Sequence, residues 1–411
     1  MPNHIAIIGG GVTGLTLAYR LSPQNRVTVF EKEKVLGGLA VSFRKENWQW
    51  PLENFYHHFF PSDKETIKLL KELNLAYFFS RPKTSIYQKG QVYQFDSAIS
   101  LLTYPHLNIY QKLRVGAAIA ALKALSNEKL LEKKLATRIL PQLTGNKAYQ
   151  ILWEPLLWGK FGKQMNQISA VWFWARIKKR SQKLGYIKGS CQHLINRLIS
   201  EIKNNKGQIK VNSPIKNLNQ LKNFSKIIIT TSPRTFLEIA PSLPKRYQNQ
   251  LASIKILAAL NLILVTKKPL LTGNTYWLNI NDKGFPFVAL VQHTNFIDPR
   301  FYDGNHILYI GGYYPQNHPY LKMNKEKLLS KFSPYLQKVN SYFQQSSIID
   351  CQLSKSLYAQ PIITPNYQKI IPSYQTPIDN VYLACMEQIY PWDRGINYAI
   401  KTANKLANLF A

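Results

Sequence analysis

Acidic residues and cysteines are both scarce in this 411-residue chain, with 21 Asp and Glu against 53 Lys and Arg and only three Cys. Three cysteines exclude a disulfide framework and fit a reduced, cytoplasmic setting. No uncharged apolar run reaches the roughly 18 residues that a transmembrane helix requires. The apolar stretch Ile5–Ile8 is too short for the core of a secretory signal and runs straight into glycines, so no such signal is expected. Zinc-ligand spacing, a helix-turn-helix pattern and an RNA-binding aromatic signature are also missing, which excludes nucleic acid as the partner of the surplus charge.

What is present is a chain able to bury a large core. The apolar fraction is 45% and the aromatic fraction 12%, which excludes disorder despite a net charge of +32. The length allows roughly two to three packing units. Of the basic residues 40 are Lys and 13 Arg, beside abundant Asn and Ile, a mixture that codon drift produces with the lysines solvated. The competing readings are attraction to an anionic membrane, peripheral to its inner face, or to an anionic or apolar small-molecule substrate. Trp153, Trp158, Trp172 and Trp174 stand among Lys160, Lys163, Arg176, Lys178, Lys179 and Arg180, which fits either a helix with buried tryptophans and a solvated basic face or a membrane interface, and there the membrane reading is first to be tested. From His106 to Leu125 a helical, strongly apolar pattern flanked by lysines is too short to span a bilayer and fits either a surface against one or a buried helix.

The N-terminal segment is the most informative. Ile5–Ile8 reads as a central parallel strand buried on both faces. Gly9, Gly11 and Gly14 then fit G-x-G-x-x-G: a tight turn, a close backbone approach to a pyrophosphate, and close helix–strand packing. Apolar residues recur at helical spacing from Val12 to Leu21, so a helix N-terminus points at that anion. Arg26–Glu31 is a second strand ending in a carboxylate, 20 residues beyond Gly11, where it accepts bonds from ribose hydroxyls. A second glycine pair, Gly37 and Gly38, follows within Val35-Leu-Gly-Gly-Leu-Ala40.

These motifs resemble the FAD-dependent amine oxidase and protoporphyrinogen oxidase group, whose N-terminal pattern is strand, GxGxxGL, helix, strand, E-x(5–6)-GG. The family usually has Arg after the glycine pair; Leu39 stands there, which leans toward a GGLA subgroup that also resembles UDP-galactopyranose mutase. The resemblance implies an α/β fold: a Rossmann-type, glutathione-reductase-like FAD-binding domain with an inserted α+β substrate domain. The FAD-binding segments are expected at residues 1–80, 184–245 and 373–411, and the substrate segments at 81–183 and 246–372. It implies FAD contacts at Gly9, Gly10, Gly11, Thr13, Gly14, Glu31, Lys32, Gly37, Gly38 and Leu39. Ile215 would lie near the adenine, and Ile396 and Asn397 nearest the flavin ring at the start of a helix over 395–407.

Local patterns place other elements. Ser62-Asp-Lys-Glu65 reads as a capping box opening a helix over 63–73, and Tyr87–Phe95 as a hairpin around Lys89-Gly90. A helix is expected over 193–203 and strands over 208–215 and 226–233. The His57–His58 pair follows the expected third FAD strand, where a group acting as acid or base near neutral pH would serve. No Cys or carboxylate accompanies it at metal spacing, so no metal site is expected. Arg394 would bind a substrate anion or the flavin, and Asp393 is a candidate helix cap. Cys191 reads as a packed thiol.

No second Gly-rich strand–turn–helix is available for NAD(P)H, so electrons would pass to oxygen or a quinone, or would stay within a redox-neutral reaction. The resemblance therefore implies oxidation of a C–N or C–C bond by hydride transfer to flavin. One alternative is a mutase-like redox-neutral enzyme. The other is a non-catalytic, membrane-peripheral flavin-binding protein, suggested by Ala384-Cys-Met-Glu387 where the family has Ala-Gly-Asp.

Overall fold

The computed structural model describes residues 3–410. Five strands form an all-parallel sheet in the order Val381–Leu383, Lys226–Ile229, His4–Ile8, Arg26–Phe30, Gln208–Lys210. His4–Ile8 lies at its centre, with Ile7 paired to Ile228 on one side and Val29 on the other. Helices cover both faces, so Ile5 and Ile7 are wholly buried, each worth about 2–3 kcal/mol of apolar transfer. The helices Val12–Leu21 and Ser190–Asn204 pack together, and Ile396–Ala407 lies against the first of them.

Seven strands form a second, mixed sheet, drawn from residues 83–94, 256–314 and 348–361. Its long strand Ile256–Thr266, next to the edge strand Ile348–Pro361, is antiparallel to it and to His306–Tyr314. The expected hairpin is there, as Lys83–Gln88 paired to Gln91–Gln94 through Lys89 and Gly90, both at positive φ. Helices between residues 98 and 179 pack on a separate core containing Trp153, Trp172 and Trp174. Those three indoles are buried, so the membrane-facing reading of the Trp153–Arg180 stretch fails for them; Trp158 alone of the four is exposed. Among the described residues no helix is long and apolar enough to cross a membrane.

Several local expectations need correction. The third strand is not in the parallel sheet: Leu52–Glu53 pairs only with Ser42–Phe43. The helix after Ser62 is Lys64–Glu72, and the Ser62–Glu65 capping box does not form: the cap position falls on Asp63, whose carboxylate accepts from the Phe60 N–H at 2.8 Å, and the Glu65 carboxylate accepts from the Asn404 amide at 2.9 Å. Asn397 caps that helix instead, its Oδ1 accepting from the N–H groups of Glu65 and Thr66 at 3.0 and 3.2 Å. The strand expected over 208–215 stops at Lys210, since Asn212 turns left-handed at φ 49°. The strand expected over 226–233 stops at Ile229, because Ser232 caps a new helix, Pro233–Ile239. The helix expected over 193–203 begins earlier, at Ser190, and that expected over 106–125 is Ile109–Ala124.

Candidate active site

The two glycine motifs meet in space. Gly11 and Gly37 form a parallel bridge, and the Gly37 N–H donates to the Gly10 carbonyl at 2.8 Å. Gly9, Gly37 and Gly38 hold φ of 112°, 125° and 57°, a region that favours glycine. Gly11 is the N-cap of Val12–Leu21 and offers no side-chain cap, so the first N–H groups of that helix are left for an anion. A Cβ on Gly11 would meet only Gly38 Cα, 3.9 Å away, so its bareness is not required by the protein's own packing. At Gly14 a Cβ would overlap the Gly9 carbonyl oxygen, which is a packing requirement. A dinucleotide pyrophosphate fits this cradle.

The neighbouring groups fall in place around it. The buried Glu31 carboxylate accepts from the N–H groups of Gly10 at 2.7 Å and Glu33 at 2.9 Å. The Ser213 N–H donates to the Glu31 carbonyl at 2.8 Å, which brings the half-buried Ile215 loop to the same edge. Thr13 and Leu39 are half-buried beside the glycines, whereas Lys32 is exposed and pairs with Glu33 at 3.5 Å. One contributor escaped the sequence reading: Thr230 Oγ1 donates to the carbonyls of Ile8 and Gly9 at 3.0 and 2.9 Å and pins the first turn.

Ile396–Ala407 begins at Gly395, again without a side-chain cap, and a Cβ at Gly395 would meet nothing within 4 Å. Asp393 therefore does not cap this helix. Its Oδ2 instead takes Arg176 at 2.6 Å and Lys160 at 3.2 Å, and its Oδ1 accepts from the Arg394 N–H at 3.2 Å. The Arg394 guanidinium donates to Tyr313 Oη at 2.6 Å and Gln360 Oε1 at 3.3 Å. Tyr313 turns toward this cluster while Tyr314 turns away, its hydroxyl donating to the Pro286 carbonyl. The Lys160 ammonium lies 4.8 Å from the centre of the Trp172 ring and 5.4 Å from that of Tyr313.

Lys160 and Arg176 thus pair with one carboxylate, and the Arg394 guanidinium is a third cation in the same cluster. Burial alone would raise the Asp393 pKa, but Lys160, Arg176 and Arg394 hold it far below the usual carboxylate range. Lys160 is 6% exposed, and burial, reinforced by Arg176, pushes its pKa well below that of an ordinary lysine despite Asp393. The site is set up for negative charge that the protein does not itself supply.

Tyr56 and His57 approach the same cluster from the segment after Glu53. Tyr56 packs over Gly311, where a Cβ would come within 3.2 Å of its ring, and edge-on to Trp277 at 4.8 Å. His57 Nδ1 lies 2.5 Å from the Phe55 carbonyl, which only accepts, so Nδ1 carries the hydrogen and Nε2 keeps its lone pair. Burial pushes His57 down to about 4, against its Phe55 bond and with help from Arg394. His58 diverges toward Tyr276 and Trp277, and burial followed by the neighbouring His57 lowers it to about 3. Both imidazoles are neutral at neutral pH, so neither serves as an imidazolium acid there. Beneath them Glu53 is wholly buried, accepting from the Cys191 N–H at 2.8 Å and the Tyr186 hydroxyl at 2.7 Å. Cys191 is a packed thiol, its pKa raised by burial.

Comparison with known proteins decides the family. The sequence pattern of flavin containing amine oxidoreductases matches residues 12–409. The chain belongs to that family. It is a flavin-dependent oxidoreductase, and its cofactor is FAD. Coproporphyrinogen III oxidase of Staphylococcus aureus is 27% identical over 209 residues, a match covering 46% of this chain and 43% of that enzyme. The chain thus aligns to less than half the length of this curated relative. Two solved structures share the fold. A protoporphyrinogen oxidase candidate from Exiguobacterium sp. 255-15 superposes with a TM-score of 0.78 at 15% identity, covering 100% of this chain and 99% of the other. Reduced UDP-galactopyranose mutase gives 0.74 at 13% identity, over 99% of this chain and 96% of the other.

Proposed function

We propose that the enzyme oxidises a C–N or C–C bond in a small substrate bearing carboxylate or phosphate groups. The observation that carries this reading is the excess of cations, the buried Lys160 and the half-buried Arg176 and Arg394, around the single carboxylate of Asp393. A cationic amine entering alone would meet repulsion there, so the substrate must bring negative charge. The coproporphyrinogen III oxidase relative agrees with that expectation.

Gly9, Gly10, Gly11, Gly37, Gly38 and Glu31 would hold FAD at the C-terminal end of the central strands of the parallel sheet, its flavin reaching the start of Ile396–Ala407. When bound, FAD supplies the hydride acceptor. The protein's own contribution is electrostatic and orienting. The uncapped N-terminus at Gly395 presents a positive helix end toward negative charge developing nearby. Arg394, held by Tyr313 and Gln360, anchors the substrate anion in a fixed direction. Nε2 of His57 is positioned to accept a hydrogen bond, and its low pKa keeps it in that neutral state.

A redox-neutral mutase acting on a diphosphate is the second reading, favoured by the same cation cluster. Anaerobic mixing of the FAD-loaded enzyme with carboxylated porphyrinogens, carboxylated amines and neutral amines separates these readings. Bleaching of the flavin band by an anionic compound, and not by its neutral analogue, is expected. Turnover of a sugar diphosphate only after prior flavin reduction, with no bleaching by any compound, would replace oxidation with the mutase reading.

A further inference from the structure

The helix Ile109–Ala124 is apolar almost all round, yet it lies at the surface. Val115, Ala118 and Leu122 face the core. The positions turned to solvent are Ile109, Tyr110, Leu113, Ala117, Ala120, Ala121, Lys123 and Ala124, all exposed, and Lys123 in the last turn is the one charge among them. A water-facing stripe of a soluble helix ordinarily carries charged residues. The short helix Ala98–Leu102 packs beside it and adds Ile99 and Leu102. The two are tied together by the Lys112 ammonium, which donates to the Leu102 carbonyl at 2.7 Å. Ile99, Leu102, Ile109, Tyr110 and Leu113 are 74%, 49%, 63%, 68% and 61% exposed.

The charge around this stripe has one sign. Between Ser97 and Lys147 there are eight lysines and arginines against two glutamates. Lys123 is exposed in the last turn, Lys129, Lys133 and Lys134 are exposed just beyond it, and the Lys178 ammonium donates to the Leu125 carbonyl at 3.1 Å. We propose that this face docks on an anionic lipid bilayer, with the apolar stripe in the acyl boundary and the lysines among the headgroups. An apolar stripe bordered by basic side chains is the pattern of a helix lying in a membrane interface. The helix spans roughly 24 Å at 1.5 Å per residue and lies against the rest of the molecule, so it rests on the membrane and does not cross it. The proposal stands apart from the reaction assigned above, since no residue of the candidate site is used.

The test is cosedimentation of the FAD-loaded, full-length protein with lipid vesicles. Vesicles of mixed phosphatidylglycerol and phosphatidylcholine should bind at least ~10-fold more tightly than phosphatidylcholine alone, with the preference fading as salt rises. The double variant Ile109→Glu, Leu113→Glu should lose about 100-fold in binding to the mixed vesicles while keeping its flavin band and melting temperature. A control variant, Tyr342→Glu with Leu409→Glu, makes the same charge change at exposed apolar positions on other elements and should bind as the parent does. The proposal is overturned by absent binding, by equal binding to both vesicles, or by unaltered binding of the Ile109/Leu113 variant. It is also overturned by a dimer that this variant abolishes and that vesicles fail to dissociate, which would assign the stripe to a second copy of the chain.

Discussion

At the C-terminal end of the central strands of the parallel sheet the proposed cofactor cradle is made of backbone: three left-handed glycines, an uncapped helix start and one carboxylate that is itself held by N–H groups. Across the molecule, the cluster at Asp393 is made of long side chains gathered from Lys160, Arg176, Tyr313, Gln360 and Arg394. Both regions attract anions, by different means. Backbone N–H groups approach a pyrophosphate closely, carry only partial charge, and need no side-chain ordering. Full charges on side chains attract more strongly but are disfavoured by burial and by one another, as the pKa of Lys160, lowered first by burial and then by Arg176, records. The first device suits a ligand that stays bound; the second suits one that must come and go.

The sharpest way to break this comparison is to add one methyl group to the cradle. Gly11→Ala should fold normally, since its Cβ meets nothing closer than 3.9 Å and Gly11 has an ordinary φ of −76°. It should nevertheless be purified without the flavin absorption band, because the methyl group occupies the space the pyrophosphate needs. Gly14→Ala should fail earlier, as insoluble or unfolded protein, because its Cβ overlaps the Gly9 carbonyl. If Gly11→Ala retains FAD, the cofactor is not where the two glycine motifs meet.

On the other side of the comparison, Arg394→Ala should keep the flavin band and lose kcat/KM by about 100- to 1000-fold toward an anionic substrate. Lys160 adds a pH signature. An amine with a lowered pKa loses its proton as pH rises, and an anion binds the protonated form better. Affinity for the anionic substrate should therefore fall with rising pH, and Lys160→Met should flatten that fall while weakening binding at low pH. Binding that is indifferent to pH in the parent enzyme would remove Lys160 from the substrate's surroundings.

A smaller effect concerns Glu387, which lies just past the strand Val381–Leu383, is buried, and has an Oε2 without a hydrogen-bond partner. Burial raises its pKa from 4.5 to about 7. A carboxyl that holds its proton longer when folded binds more protons in the native state, so stability falls as pH rises between those two values. Thermal melts of the parent should decline across that window, and Glu387→Gln should decline less, by roughly 3 kcal/mol at most above it. Parallel melting curves for the two proteins would show that Glu387 is ionised on folding.

The sequence revealed these two regions unequally, for a physical reason. The cradle was legible because it is local: Gly9 to Gly14, Glu31 and Gly37–Gly38 fall within one βαβ unit, where spacing fixes geometry. The same motifs carried the family resemblance and the parallel sheet. Asp393 is 233 residues from Lys160 and 217 from Arg176, and no periodicity links residues so far apart. Arg394 was singled out from its place beside the last helix, but Tyr56, Gln360 and Thr230 gave no signal at all. Asp393 was misjudged as a cap, and Ser62 with Glu65 as a capping box, both for one reason. A carboxylate near a helix start has a local use, and tertiary partners override it without trace in the sequence. For the tryptophan-rich stretch the sequence left burial and a membrane face both open, and what packs against Ala170–Lys179 decides for burial; the helix within 106–125 buries Val115, Ala118 and Leu122 and leaves its other face at the surface.

Glu31 sharpens the comparison most finely, because it is a charged side chain within the backbone-built region. Its two oxygens already accept from Gly10 and Glu33, so part of its work is to hold the first glycine turn, not to meet the ligand. Each carboxylate oxygen has a second acceptor direction free for a ribose hydroxyl. Glu31→Gln keeps one acceptor oxygen and the shape but replaces the other with a donor facing an N–H group. That change should weaken FAD by about 10- to 100-fold, equivalent to one or two charge-assisted hydrogen bonds, without abolishing it. Equilibrium titration of the cofactor-free protein with FAD measures this directly. A loss as complete as that of Gly11→Ala would mean that the cradle depends on charge as much as the Asp393 cluster does, and the distinction between the two regions would fall.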